Sequence, residues 1–360
     1  AYYNTEKDRF PNLNAAIDAW FDQMQPIASG VPMMPTYGNH EVLLEENVDD
    51  WLARFPTPTG YDDRHYYSFD IANAHFISIY APQAINDPNA LAWLEQDIIA
   101  AQAAGQKWII PYFHVAPFAD GTNHSSSQSL RNTLGPIFEQ YNVPLVIASH
   151  DQAYERTWPL TDAANTAVPT TTAHRACVPE TEGVTWVKVS PSGKLSNISW
   201  GFSPFGTTPA PAWTSVRHNA LHHFLRLRFA SDETLQVELW GVVGDGSAPT
   251  LVDTFLLADS CEDELLVNEP VQSLKLFADE TASLAVDVTH SASTAVSFAV
   301  ASSQPWLQPS TLLGTTGTPV SLDVDPSALA PGTYTAVVTF TPTSGTALAG
   351  RLVTTLVVRG

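Results

Sequence analysis

Four short segments of this chain carry side chains that could share one chemistry. VPMMPTYGNHE ends in Gly38-Asn39-His40-Glu41, YFHVAPF carries His114, Asn123-His124 follows ten residues after it, and ASHDQAYERTWP carries His150, Gln152 and Arg156. An amide oxygen combined with imidazole nitrogens from separated loops is a mixed O/N donor set, which suits zinc, iron or manganese rather than calcium. Asn39, His114 and His150 are the donors this reading selects. A single histidine is more often structural than a ligand, so the reading rests on the order and setting of all of them.

That setting is set by the elements around them. His114 follows KWIIPYF and His150 follows VPLVIAS, both apolar runs that read as buried strands. Ligands in open α/β sheets gather in the loops beyond the carboxyl ends of the strands, so the two histidines are expected to face one crevice. The plain alternative is two satisfied loop histidines. FPNLNAAIDAWFDQMQPIAS and LAWLEQDIIAAQAAG carry apolar residues at helical spacing, the second ending on a glycine suited to a C-cap. SLRNTLGPIFEQYNV reads as a helix in two pieces around Pro136, and Trp51, Phe55 and Trp93 read as core. Helices alternating with short strands predict an α/β fold.

These segments, with YYSFDIANAHFISIYA, LAWLEQDI, HHFLRLRF and LVDTFLL in order, resemble the calcineurin-like metallophosphoesterases, nearest the purple acid phosphatases, over residues 1 to about 260. The resemblance implies two mixed β-sheets flanked by helices, in a domain spanning 1–262. It implies that Asn39 is a metal ligand, that His40 steadies charge on the transition state, and that His114 opens the H-x-P segment, written here His-Val-Ala-Pro. It makes His124 the proton donor to the leaving alkoxide, and aligns G-H-x-H-x-Y-E-R with Ser149-His150-Asp151-Gln152-Ala153-Tyr154-Glu155-Arg156. His150 then matches a ligand of the second metal. Gln152 stands where the family has a histidine ligand of the first metal, and its amide oxygen is a weaker donor than imidazole. Arg156 is a substrate-contact candidate, although the Glu-Arg pair in this motif more often braces the loop.

The family's D-x-G and G-D-x-x-Y motifs do not occur in this sequence. Ala1-Tyr2-Tyr3-Asn4 looks like the tail of the second, with Tyr2 or Tyr3 at its metal-binding tyrosine. The bridging aspartate is therefore expected in a missing N-terminal segment. The alternative is a one-metal or inactive relative. The implied activity is hydrolysis of phosphomonoesters, or of phosphodiesters, by metal-bound hydroxide on iron, zinc or manganese, with one site expected and a second in doubt. The competing reading is a catalytically degenerate scaffold or surface-adhesion protein, which Gln152 and the absent aspartates favour.

Composition bounds the partners. The 360 residues carry 37 acidic against 16 basic side chains, a formal net charge of −21, with no basic patch to neutralise phosphates, so nucleic acid is not expected. A small phosphorylated substrate is. Hydrophobic residues at 44% and a mean hydropathy of −0.05 describe an ordered chain with enough length for two cores. No run approaches a membrane span, and no signal peptide stands at Ala1. The acidity fits a saline habitat. Ser/Thr/Pro-rich loops and the appended β module lean towards export, and Cys177 and Cys261 could form one bridge. Asn123-His-Ser and Asn197-Ile-Ser match glycosylation sequons.

From about Val184 the signal is strands: VTWVKVS, LSNISW, HHFLRLRF and LQVELWGVV, expected to form the second sheet of the phosphoesterase sandwich, with SPFGTTPAPAWTSVRHN as a long loop over the cleft. His222 and His223 read as structural. Beyond Cys261-Glu-Asp-Glu a second domain spans 265–360. Its QPWLQPSTLLGTTGTP and PGTYTAVVTF resemble bacterial immunoglobulin-like modules of the BACON type, which implies packing roles for Trp306, Leu307 and Tyr334 in a β-sandwich. Such a module is expected to act as a spacer or to make cell-surface or carbohydrate contact.

Overall fold

The computed structural model describes residues 10–41, 48–81, 85–172, 175–177, 183–192, 201–229, 234–258, 263–268, 270–291, 294–345 and 347–359. Tyr2, Tyr3, Cys261 and the LSNISW segment lie outside these residues, as does the side chain of Cys177, and with them the tyrosine-ligand and disulfide expectations. The chain divides into two compact units, Ala1–Thr172 with Thr181–Ala220, and Ala173–Glu180 with Leu221–Gly360.

The first unit is built on a sheet whose strands arrive in the order the apolar runs suggest. β1 (Tyr67–Ile71) pairs antiparallel with β2 (Ala74–Ser78), which runs parallel to β3 (Trp108–Val115), and that parallel to β4 (Leu145–Ser149). The sheet continues through β9 (Thr185–Lys188), β5 (Tyr154–Thr157) and β10 (Thr214–His218), seven strands in all. A small hairpin, β6 (Leu160–Thr161) with β7 (Val168–Pro169), follows β5. β9 is parallel to β4, so VTWVKVS belongs to this first sheet and not to the second, where the sequence reading put it. All four of its residues are buried, the pattern of a central strand covered on both faces.

Helices cover this sheet for reasons visible residue by residue. α1 (Leu13–Ala28) opens on Asn12, whose side chain accepts the Ala15 N–H, and a short α2 (Val48–Leu52) buries Trp51 and Leu52 in a cluster with Ile17 and Phe55. α3 (Pro88–Ala103) is capped by Asp87, carries proline in its first turn, and buries Leu94 and Ile98; beyond its end Gly105 takes φ 84°. α4 (Gln128–Gln140) is one continuous helix through Pro136, which corrects the two-piece expectation. Proline removes one backbone bond there, and the fully buried stripe of Leu130, Leu134 and Phe138 holds the helix together across the loss.

One buried polar staple ties α3 to the sheet edge. His75 on β2 is 6% exposed, with Nδ1 2.7 Å from Asp70 Oδ1 on β1 and Nε2 2.9 Å from Asp97 Oδ2 on α3. Burial works against a charged ring there, but the hydrogen bonds to Asp97 and Asp70 outweigh it and raise the imidazole pKa.

In the second unit, β11 (His222–Phe229), β12 (Thr234–Val242) and β13 (Thr250–Ala258) form an antiparallel run, and β8 (Arg175–Cys177) adds in parallel to β13. The remaining described strands make a two-stranded, a five-stranded and a three-stranded sheet around one core that includes Phe298, Trp306, Leu322, Phe340 and Leu356. Trp306 is 4% and Leu307 0% exposed, while Tyr334 packs against this core with its hydroxyl donating to Ala330 O at 2.9 Å. Among the described residues no helix is long and apolar enough to cross a membrane.

Candidate metal centre

Three neighbouring pieces of backbone deliver the donors. The extended segment before Gly38 is tied to the sheet by side-chain hydroxyls: Tyr112 donates to Met34 O at 3.1 Å, Tyr67 to Pro35 O at 2.5 Å, and Thr36 to Ile79 O at 3.1 Å. It then turns through a 3-10 helix, Asn39–Glu41, whose Glu41 carboxylate accepts the Gly38 N–H at 2.8 Å. Gly38 is required by space, since a Cβ there would lie 2.7 Å from the His114 ring. His114 sits at the end of β3, where the register with β4 shifts between Tyr112 and Val115. His150 follows β4 directly with φ 72°, a left-handed conformation costing roughly 1–2 kcal/mol in a residue with a side chain. Backbone strain of that kind persists where the surroundings over-determine it.

The result is a triangle of donor atoms with His114 Nε2 at its apex. His114 Nε2 lies 3.0 Å from Asn39 Oδ1 and 2.9 Å from His150 Nδ1. A neutral imidazole nitrogen either donates one hydrogen or accepts one, so Nε2 cannot make a full hydrogen bond to an oxygen acceptor and also accept from His150. A cation at the centre resolves the conflict, because all three atoms can then offer lone pairs to it. The set also has the chemistry a transition metal prefers, so the residues fit such an ion. Burial, with charge repulsion from His40 and His124, pushes the His114 pKa down to about 4; burial, with repulsion from His114 and His124, pushes that of His150 down to about 3. Neutral rings are the ligand form.

His124 lies over this group, its ring stacked on His150 at 4.0 Å between centroids, and its pKa is lowered by burial against an opposing pull from Asp151. His40 is near enough to lower both His114 and His150 by its charge. Gln152 is 3% exposed, its backbone carbonyl accepting the Ser203 N–H at 2.9 Å, and Arg156 is 2% exposed within β5. Among the described residues no group of three or more His, Cys, Asp or Glu side chains converges on a metal position; the triangle has two imidazoles and an amide.

Sequence reasoning named Glu155 only as half of a loop-bracing pair and passed over its charged partners. Lys188 Nζ on β9 reaches Asp151 Oδ2 and, at 2.5 Å, Glu155 Oε1, all three side chains 1% exposed. Glu155 is the registered partner of Lys188 across β5 and β9, a pairing that only the strand order reveals.

The sequence of residues 7–154 matches the family model described as Calcineurin-like phosphoesterase. The calcineurin-like phosphoesterase domain is thus matched over residues 7–154, within the first unit. This domain is similar to purple acid phosphatase 23 of Arabidopsis thaliana, 31% identical over 147 residues, covering 39% of this chain and 32% of the relative. It is also similar to acid phosphatase type 7 of Homo sapiens, 30% identical over 181 residues, covering 44% of this chain and 39% of the relative. The chain thus spans about a third of each of these two relatives. A purple acid phosphatase from yellow lupin (Lupinus luteus) seeds shares its fold, with a TM-score of 0.54 and 20% identity over 68% of this chain and 44% of that one. The phosphoesterase fold expected from the sequence is the fold observed.

Proposed function

We propose that this chain hydrolyses phosphate esters of small molecules with a transition metal held by Asn39, His114 and His150. The observation that carries this reading is the donor set, in which Asn39 Oδ1 and His150 Nδ1 each lie within 3.0 Å of His114 Nε2 although the three segments are far apart in sequence. A bound iron, zinc or manganese ion supplies Lewis acidity towards water and phosphoryl oxygens. The chain does the rest. His114 and His150, kept neutral by burial and mutual repulsion, offer lone pairs rather than protons. His40 contributes an imidazole to offset charge building on the phosphoryl oxygens. His124, stacked over His150, is the group that gives its proton to the departing alkoxide. Arg156 and a Tyr2 or Tyr3 ligand belong to the same proposal. So do a domain boundary near 262–265, an immunoglobulin-like spacer or adhesion role for the C-terminal strands, and an extracellular, saline setting.

The test is metal content per folded chain, by elemental mass spectrometry, alongside turnover of p-nitrophenyl phosphate. A His150→Ala variant is expected to lose bound metal and at least about a hundredfold in kcat/KM together, since both the ion and its positioned neighbours go. Unchanged metal content in that variant would sink the assignment. A second reading, a degenerate scaffold, is favoured by Gln152 standing buried where the family motif has histidine. It predicts no metal and no turnover in the wild type.

A further inference from the structure

We propose that Asp151, Lys188 and Glu155 form a buried charge clamp that sets His124 over the donor triangle, making them positioning residues for protonation of the leaving group. The proposal rests on the phosphatase reading above.

His124 belongs to a stretch between β3 and α4 that lies outside any helix or strand and is tied to the backbone by an isolated antiparallel bridge between Gly121 and Phe205. Its backbone N–H groups from Ala119 to His124 are all paired. The Ala119 N–H donates to Ser126 Oγ at 2.8 Å, Asp120 N–H to both Glu155 oxygens at 2.9 and 2.8 Å, and Gly121 N–H to Glu155 Oε1 at 3.1 Å. Thr122 N–H donates to Pro204 O at 2.9 Å, Asn123 N–H to Ser203 Oγ at 3.0 Å, and His124 N–H to Asp151 Oδ1 at 3.0 Å. Three of these six donors end on the two carboxylates that Lys188 holds together. Hydrogen bonds to an ionised acceptor are the strong ones, which is what a loop needs to behave as a rigid element.

The arrangement has no slack. Asp151 is 0% exposed, and a Cβ on Gly121 would lie 1.9 Å from its Oδ2. Arg217 on β10 closes the outer side, donating to Asp120 Oδ2 at 2.5 Å and to Thr207 O at 3.0 Å. Burying two carboxylates and an ammonium is costly, and apolar side chains of similar volume would serve stability as well. What apolar residues cannot do is accept N–H groups. His150 and Asp151 are consecutive, so one turn of backbone sends the first side chain into the triangle and the second to the amide of His124. The stack of His124 on His150 is thereby fixed from a single turn.

The experiment compares Asp151→Ala, Asp151→Asn and Gly121→Ala with the wild-type full chain on two esters, p-nitrophenyl phosphate and glycerol 1-phosphate. The first leaving group needs little protonation and the second needs it. Metal content and hydrogen exchange of peptides spanning 119–126 are measured on the same samples. Asp151→Ala is expected to lower kcat on the glycerol ester by about a hundredfold, at the lower edge of what a general acid contributes, and on the aryl ester only severalfold. Exchange across 119–126 is expected to quicken while metal content holds. Asp151→Asn keeps an oxygen acceptor and should recover part of the loss; Gly121→Ala, which leaves every charge in place, should reproduce it and covers the case in which Asp151→Ala does not fold. Equal losses on both esters, or unchanged exchange, overturns the clamp while the phosphatase reading stands. Wild-type protein inert on both esters overturns the reading and the clamp with it.

Discussion

At His114 one ring nitrogen faces two partners that cannot both be satisfied by a single hydrogen, and the site's chemistry begins with that conflict. The residues around it divide by how far sequence reveals them. Asn39, His114, His124 and His150 are legible, because their neighbours form motifs and the strands before them are plain apolar runs. Asp151 and Lys188 are not, since 37 positions separate them and a lone lysine ordinarily signals surface. Its partners become visible only when β9 is seen to lie between β4 and β5. Removing that ammonium leaves two buried carboxylates uncompensated, so Lys188→Met is expected to destabilise the first unit by about 3–5 kcal/mol. Urea unfolding at neutral pH measures it, and a loss under 1 kcal/mol would contradict the burial described. In the second unit, Trp306→Ala opens a cavity in the core and should cost about 3–5 kcal/mol by the same assay.

Elements were readable where one face is apolar and unreadable where pairing is distant. The spacing of Leu94 and Ile98 locates α3, and its proline and glycine punctuate it. Pro136 misleads because a local rule about lost backbone bonds competes with a buried stripe that the rule does not see. VTWVKVS misleads because a strand buried on both faces carries no alternation to say which sheet it joins. The His75 staple offers an element-scale test. Its pKa is raised above the ordinary 6.5, so the extra stability is complete below that value and is lost as pH rises through the folded one. The urea midpoint of the wild type should therefore fall from about pH 6.5 upward more steeply than that of His75→Phe, in which α3 has lost its bridge to β1 and β2. Parallel pH curves would refute the staple.

For the molecule as a whole, the formal charge of −21 acts as a field rather than as contacts. Self-repulsion disfavours the compact state, and salt screens it with a Debye length of about 10 Å at 0.1 M. The urea midpoint is expected to rise between 20 mM and 500 mM sodium chloride, read at fixed pH by far-ultraviolet circular dichroism; a flat response would mean that the acidic groups are already well separated. A change from helix-and-strand alternation to strands alone was legible in the sequence. The place of residues 173–180 in the second unit was not, because a three-residue strand carries too little pattern to betray a partner.

That short strand also imposes an order of events during synthesis. β8 leaves the ribosome before any of the strands it joins, and from Cys177 to Thr250 the chain runs 73 residues before its neighbour β13 begins. At about 5–20 residues per second this is a wait of roughly 4–15 s. Through that interval the first unit must close its sheet around a loop whose middle is reserved for a later structure. A nascent chain that has emerged as far as residue 220 therefore holds the whole of the first unit with one strand still unclaimed.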